Sequence, residues 1–294
     1  MSKNNWTLAR NVVLFTELEK ILASFNRAII IGGAGLAKTA YPDMASRPMS
    51  DIDLLIEEKD LSRLQAVLEK VGYRFENERS DEIHYCNNNP DITFHIDIHI
   101  DLIYIPKSRL PDIRERALKA DFGAAQGFIF SPEDALIYAI MDAFIGHGRI
   151  TQNTINDVTV ILDKYRTDWT LLRKLIKEFN LEVPLYCGIK FIRNKTNINI
   201  PNEFITGIKP SPRKILENKL YQIALKHPNE DLAPVLRFAT CSKKGSLVAR
   251  SFFPSGGFMS RRYNRADGLS WIYYPYRVIN HCWRMIKLVR SALL

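Results

Sequence analysis

Three aspartates and a pair of glycines are the residues of this sequence best placed to do chemistry. Asp51 and Asp53 stand two apart in the run Asp51-Ile52-Asp53-Leu54-Leu55-Ile56. Side chains alternate along a strand, so acids at i and i+2 point the same way. Asp97 lies in a second alternating run. There His95, Asp97, His99 and Asp101 face one side, and Phe94, Ile96, Ile98, Ile100 and Leu102 the other. Carboxylates gathered in this way suit hard cations such as magnesium, which take oxygen ligands. Such ions clamp attacking and leaving oxygens in phosphoryl and nucleotidyl transfer. Gly32-Gly33 closes the apolar run Ala28-Ile29-Ile30-Ile31, just before a short helical stretch. A turn of that kind lets phosphate oxygens approach backbone N–H groups closely.

Each feature alone has a plainer reading. Asp-x-Asp is common by chance, a Gly-Gly turn is often only a turn, and the polar face of 95–101 suits a solvated edge strand. Their order favours chemistry: apolar strand, glycine pair, helix, Asp-x-Asp strand, then a carboxylate on a third strand.

The elements that must position these groups follow from periodicity. Residues 8–26 carry Leu14, Phe15, Leu18, Ile21, Leu22 and Phe25 at helical spacing. Residues 28–31 and 51–56 read as buried strands. Tyr41-Pro42 stops the helix after the glycines, because proline excludes helical backbone before it. Asp60 is a suitable N-cap for a helix through Leu64, Val67, Leu68 and Val71, closed by Gly72. Weaker strands fall at 73–75 and 83–86, and a long one at 93–104. After Pro106 the pattern reads as helices. Ser131-Pro132-Glu133-Asp134 opens one with a serine cap, a proline at N1 and acids in the first turn. Helices at 156–164 and 169–179 continue the pattern, and the boundary between an α/β part and a helical part falls at 105–112.

These residues resemble a known family. The runs Ile30-Ile31-Gly32-Gly33-Ala34-Gly35-Leu36, Arg47-Pro48-Met49-Ser50-Asp51-Ile52-Asp53-Leu54-Leu55-Ile56, Gly72-Tyr73 and Ile96-Asp97-Ile98-His99 are similar to the poorly characterised bacterial nucleotidyltransferase-like family of the polymerase-β superfamily. The resemblance continues through Ser131-Pro132-Glu133-Asp134-Ala135-Leu136, His147, Asn156-Asp157-Val158 and Asp168-Trp169, and covers roughly residues 28–190. It implies an α+β fold: a polymerase-β-like domain with a small mixed sheet and flanking helices, then a mainly helical domain. Residues 1–110 would be the catalytic domain with its N-terminal helix, 111–240 the helical domain, and 241–294 a basic, aromatic-rich segment.

The resemblance also implies an activity, the magnesium- or manganese-dependent transfer of an NMP from an NTP to a hydroxyl with release of pyrophosphate. Gly32 and Gly33 match the glycine pair, Asp51 and Asp53 the metal-binding Asp-x-Asp, and Asp97 the third acid, which helps deprotonate the acceptor. Eighteen positions separate Gly33 from Asp51, more than in compact superfamily members, and the longer loop holds Lys38 and Arg47.

Ser50 and Lys38 join the nucleotide-binding candidates. Arg47 has two readings, a bidentate donor to the triphosphate or a surface arginine steadying its loop. His99, on the face of Asp97, either orients a metal ligand or acceptor or is a plain strand histidine. His147, Arg149 and Asp157 are candidates to face the cleft; without the resemblance, His147 is a loop histidine and Asp157 a helix surface charge. The acceptor class stays open among small molecules, sugars, RNA and proteins. A non-catalytic nucleotide-binding or adaptor protein on the same fold is the competing reading.

The net charge of +9 is confined to one end. Residues 241–294 hold ten basic residues against Asp267, leaving 31 basic and 31 acidic residues in the other 240. Residues 278–293 form an amphipathic helical pattern, with Val278, Ile279, Cys282, Met285, Ile286, Val289 and Leu293 on one face and Arg277, Asn280, Arg284, Lys287 and Arg290 on the other. Packing on the helical domain, binding to an anionic membrane surface and binding to nucleic acid all suit it. No apolar run approaches the ~20 residues that span a bilayer, and no secretory signal pattern opens the chain. A cytoplasmic protein, membrane-peripheral if the basic segment binds lipid, is the expectation. Cys86, Cys187, Cys241 and Cys282 form no metal-binding pair and read as reduced hydrophobes.

Overall fold

The computed structural model describes residues 3–78, 82–88, 93–226, 228, 232–241, 273–276, 278–279, 283 and 286–287. The strands are β1 (Ile29–Ile31), β2 (Asp51–Leu55), β3 (Arg74–Glu78), β4 (Glu82–Asn88), β5 (Thr93–His99), β6 (Leu118–Phe122) and β7 (Ala125–Ile129). The helices are α1 (Lys3–Ser24), α2 (Gly32–Thr39), α3 (Leu61–Lys70), α4 (Leu110–Arg116), α5 (Pro132–Met141), α6 (Gln152–Lys164), α7 (Trp169–Glu178), α8 (Glu182–Lys195), α9 (Asn202–Gly207), α10 (Ile215–Lys226) and α11 (Ala233–Cys241). This is the expected α+β architecture, with a helical portion towards the C-terminus.

Contacts divide the chain into two compact units. The first is Met1–Ala139 with Gln152–Leu175, the second Ile140–Thr151 with Ile176–Leu294. The first unit is built on a seven-stranded mixed sheet in the order β3-β4-β5-β2-β1-β7-β6. β2 runs parallel to β5 and antiparallel to β1, and β7 runs parallel to β1. One sheet face is apolar: Ile30, Ile52, Leu54, Ile83, Tyr85, Phe94, Ile96 and Ile98 pack with Leu14, Leu18, Ile21, Leu22 and Phe25 of α1 and Leu64 and Leu68 of α3. Burying that face fixes register, because a slip of one residue would turn every aspartate of β2 and β5 into the core.

Several elements differ from the sequence reading. Residues 118–129, expected to be helical, form the β6–β7 hairpin at the sheet edge. Gly123, at φ +72, supplies the left-handed turn. Strand β5 stops at His99, and residues 102–105 turn instead, with Ile105 N–H on Leu102 O at 2.7 Å. Asp60 precedes α3 but makes no side-chain cap. Its Oδ1 accepts from Arg27 Nη1 at 3.1 Å, and the carboxylate that pairs with an arginine is unavailable to the helix. The Ser131 cap is as expected: Asp134 N–H donates to Ser131 Oγ, 3.2 Å, and Arg116 grips Asp134 through both oxygens.

In the second unit, Phe144 meets Tyr221 of α10 edge to face at 4.7 Å, and Gly188 of α8 lets Ile140 and Phe144 approach. Most of residues 241–294, and most of the amphipathic pattern over 278–293, lie outside the described residues. Among the described residues no helix is long and apolar enough to cross a membrane.

Candidate functional site

The polar face of β2 and β5 assembles the acids. In the parallel β2–β5 pair Asp53 stands beside Asp97, Asp51 beside His95 and Leu55 beside His99. Alternation sends Ile52, Leu54, Ile96 and Ile98 into the core, so Asp51, Asp53 and Asp97 share the opposite face. Strand β4 extends that face, with His84 opposite Asp97 and Glu82 opposite His99.

Each acid has a hydrogen-bond donor. Ser50 Oγ lies 3.0 Å from Asp51 Oδ2. His99 Nε2 donates to Asp53 Oδ1 at 3.1 Å, and His84 Nδ1 to Asp97 Oδ1 at 2.7 Å; a carboxylate can only accept, so these ring nitrogens carry the hydrogens. Among the described residues no three His, Cys, Asp or Glu side chains stand close enough to hold a metal as they lie. Asp53 and Asp97 are adjacent through the strand register, but one oxygen of each is turned to a histidine.

The glycine turn borders these acids. Gly32 adopts φ +61, and a Cβ there would lie 3.0 Å from Asp53 Oδ2 and 3.4 Å from Tyr138. Glycine therefore serves both the left-handed backbone and the close approach of Asp53. Ile31, at the N-cap of α2, has no polar side chain, and α2 starts without a side-chain cap.

Gly33 makes room for Arg47. A Cβ at Gly33 would meet the guanidinium at 3.2–3.4 Å. Arg47 Nε and Nη2 donate to Asp157 Oδ1 and Oδ2 at 2.8 and 2.9 Å, and Nη1 donates to Pro48 O at 2.6 Å. Tyr41 OH donates to Asp157 Oδ1 at 2.6 Å. Burial, then the Asp157 charge, holds the Tyr41 hydroxyl above its ordinary range, so it stays a donor. Asn11 Nδ2 donates to Arg47 O and Met44 O, tying the loop to α1.

Asp157, read from sequence as a helix surface charge or a cleft residue, is thus the buried anchor of Arg47. Lys38 is exposed on the last turn of α2. His147 and Arg149 belong to the second unit, where His147 Nε2 lies 3.5 Å from Asp142 Oδ2. Sequence reasoning missed His84, Glu82, Tyr41 and Tyr138. A usable signal for the first two was Glu82-Ile83-His84, the same acid-apolar-histidine alternation as Asp97-Ile98-His99.

The sheet thus sets Asp51, Asp53 and Asp97 on one face, with the glycine turn at its border. The model of a family described as uncharacterised nucleotidyltransferase matches residues 2–195, well over half of the chain. The chain belongs to that family and is a nucleotidyltransferase. No curated protein matches.

Three solved structures are similar at 16% identity. One is the crystal structure of ANT(2")-Ia in complex with adenylyl-2"-tobramycin, with TM-score 0.41 over 57% of this chain and 97% of that one. Another is the solution structure of the antibiotic-resistance factor ANT(2'')-Ia, with TM-score 0.43 over 63% and 100%. The third is an antigenic nucleotidyltransferase-like protein from Paracoccidioides brasiliensis, with TM-score 0.37 over 60% and 91%.

Proposed function

We propose that the protein transfers a nucleoside monophosphate from a magnesium-bound NTP to a hydroxyl acceptor, with Asp51, Asp53 and Asp97 as the acids of the reaction. The observation that carries this is the register of β2 and β5, with Asp53 beside Asp97, Asp51 on the same face, and Gly32 against Asp53. Three carboxylates offer oxygen donors only, the set that magnesium or manganese takes. A bound ion would neutralise the triphosphate and polarise the α-phosphate.

The residues of the chain do the rest. The uncapped N–H groups at the start of α2 receive phosphate oxygens beside Gly32 and Gly33, with Ser50 at the edge. Arg47, paired with Asp157 and set against Gly33, shapes the same turn, and Lys38 is a more distant cation on α2. Asp97 accepts the proton of the acceptor hydroxyl as its oxygen bonds to the α-phosphorus. The bond from that phosphorus to the bridging oxygen breaks, and pyrophosphate leaves with the electron pair. His99 holds Asp53 in place. All three acids and the glycine turn fall within residues 1–110.

The charge of residues 241–294 points to an anionic partner, lipid or nucleic acid. Trp283 there is exposed with Lys287 Nζ 5.7 Å from its ring centre, and Ile279 and Ile286 are exposed nearby. The acceptor class is found by incubating the protein with each α-phosphate-labelled NTP, magnesium, and separate pools of small metabolites, RNA and protein. Label should move to one pool, with pyrophosphate released in equal amount. A protein that binds none of the magnesium NTPs refutes the reading.

A further inference from the structure

We propose that His84 is a positioning residue for the transfer, holding the Asp97 carboxylate at the angle from which it meets the acceptor hydroxyl. The inference rests on the reading of Asp97 as the acid that takes the acceptor's proton. It concerns a residue on a strand that carries none of the three acids.

The geometry is direct. His84 is the antiparallel partner of Asp97, so its side chain stands alongside on the same face. The Nδ1–Oδ1 distance of 2.7 Å lies at the short end for a charge-assisted bond. His84 is 7% exposed, while its neighbours Ile83 and Tyr85 point into the core on the other face. On the far side of the ring, Glu82 Oε2 lies 3.5 Å from Nε2. The imidazole is therefore set between two carboxylates, with little room to turn. One oxygen of Asp97 is occupied by the ring, which leaves Oδ2 as the oxygen to receive the proton.

A ring that only filled space would not need its Nδ1 aimed at the one acid of β5. A hydrogen-bonded partner that fixes the rotamer of a reacting group is a recurrent device, because loss of orientation alone costs large factors in rate. His99 performs the equivalent task on Asp53 at 3.1 Å. The two histidines thus brace the two adjacent acids, His84 reaching Asp97 from β4 and His99 reaching Asp53 from β5.

The test separates orientation from folding and from binding. His84→Leu removes the donor, and His84→Asn restores an N–H near the position of Nδ1. His84→Leu should lower kcat at least tenfold while the KM for NTP and the affinity for manganese-NTP stay within twofold. His84→Asn should recover kcat to within about threefold of the parent. In the metal-free protein, the Nδ1 proton should give a low-field, slowly exchanging resonance that is lost in His84→Leu and in Asp97→Ala. If His84→Leu does not fold, His84→Ala with the same measurements and the resonance decide the matter.

Unchanged kcat in the apolar variants, equal loss in the folded Asn and Leu variants, or a resonance insensitive to Asp97→Ala overturns the proposal. Asp97→Asn is the parallel control. If it transfers at the parent rate, the role given to Asp97 is what fails. If it is inactive while His84→Leu is fully active, only the role of His84 fails.

Discussion

Asp157→Leu should destabilise the first unit more than an ordinary helix substitution, although Asp157 lies far in sequence from the glycine turn. Its carboxylate is 9% exposed and its Arg47 partner 15%. Removing one partner of a buried ion pair leaves the other charge stranded, which costs roughly 3–5 kcal/mol. Arg47 keeps Pro48 O as an acceptor and has some contact with water, so the lower end, about 3 kcal/mol, is expected. For a unit of this size that corresponds to a fall in Tm of about 6–12 °C. The double variant Arg47→Met with Asp157→Leu should recover most of the loss, since apolar replacement of a whole buried pair is often neutral. Urea unfolding of the parent, both single variants and the double variant gives the coupling, expected at about 3 kcal/mol or more because each single variant strands a buried charge and the double variant strands none. In the same series, the KM for NTP should rise in Asp157→Leu, because Arg47 is no longer held against Gly33. An Asp157→Leu variant within about 0.5 kcal/mol of the parent, the range of ordinary surface changes, would refute the reasoning.

Gly32→Ala places a methyl 3.0 Å from Asp53 Oδ2 at a residue with φ +61. It should cost about 1–2 kcal/mol of stability and lower kcat/KM by a further tenfold or more, measured on protein shown to be folded. Burial pushes the Cys187 thiol from 9.0 up to about 12. The unfolded chain ionises first, so this contribution to stability is whole below about pH 9 and is lost as pH rises towards 12. Urea melts across that window should show a fall that Cys187→Ala reduces. Deleting residues 271–294 should weaken binding to anionic vesicles or to RNA, more at low salt than at high; retention of both would leave packing as the segment's role.

Much of the acidic face was legible because period-two alternation is a strong signal in β2 and β5. Ile52, Leu54, Ile96 and Ile98 separate cleanly from Asp51, Asp53 and Asp97, and the core enforces the separation. The β6–β7 hairpin was not legible. Leu118-Lys119-Ala120-Asp121-Phe122 has ordinary helix formers, and its strand state comes from pairing with β7, which itself docks beside β1. Local propensity carries no record of such pairing. The role of Asp157 was hidden for a related reason. It is 110 residues from Arg47, and no helical pattern tells a surface acid from one buried against a distant arginine. Asp60 shows the reverse, a good capping residue whose carboxylate is claimed by Arg27 instead.

The most direct measurement replaces Asp51 and Asp53 together with asparagine. Side-chain size and most hydrogen-bonding capacity are kept, while two charges leave the face shared with Asp97. The folded double variant should bind magnesium-NTP poorly and transfer no label to any acceptor that the parent modifies. Its Tm without metal should hold or rise, because like-charge repulsion is relieved. A double variant that loses Tm sharply, with transfer reduced only in proportion to the folded fraction, would mean that these acids support the fold and not the reaction.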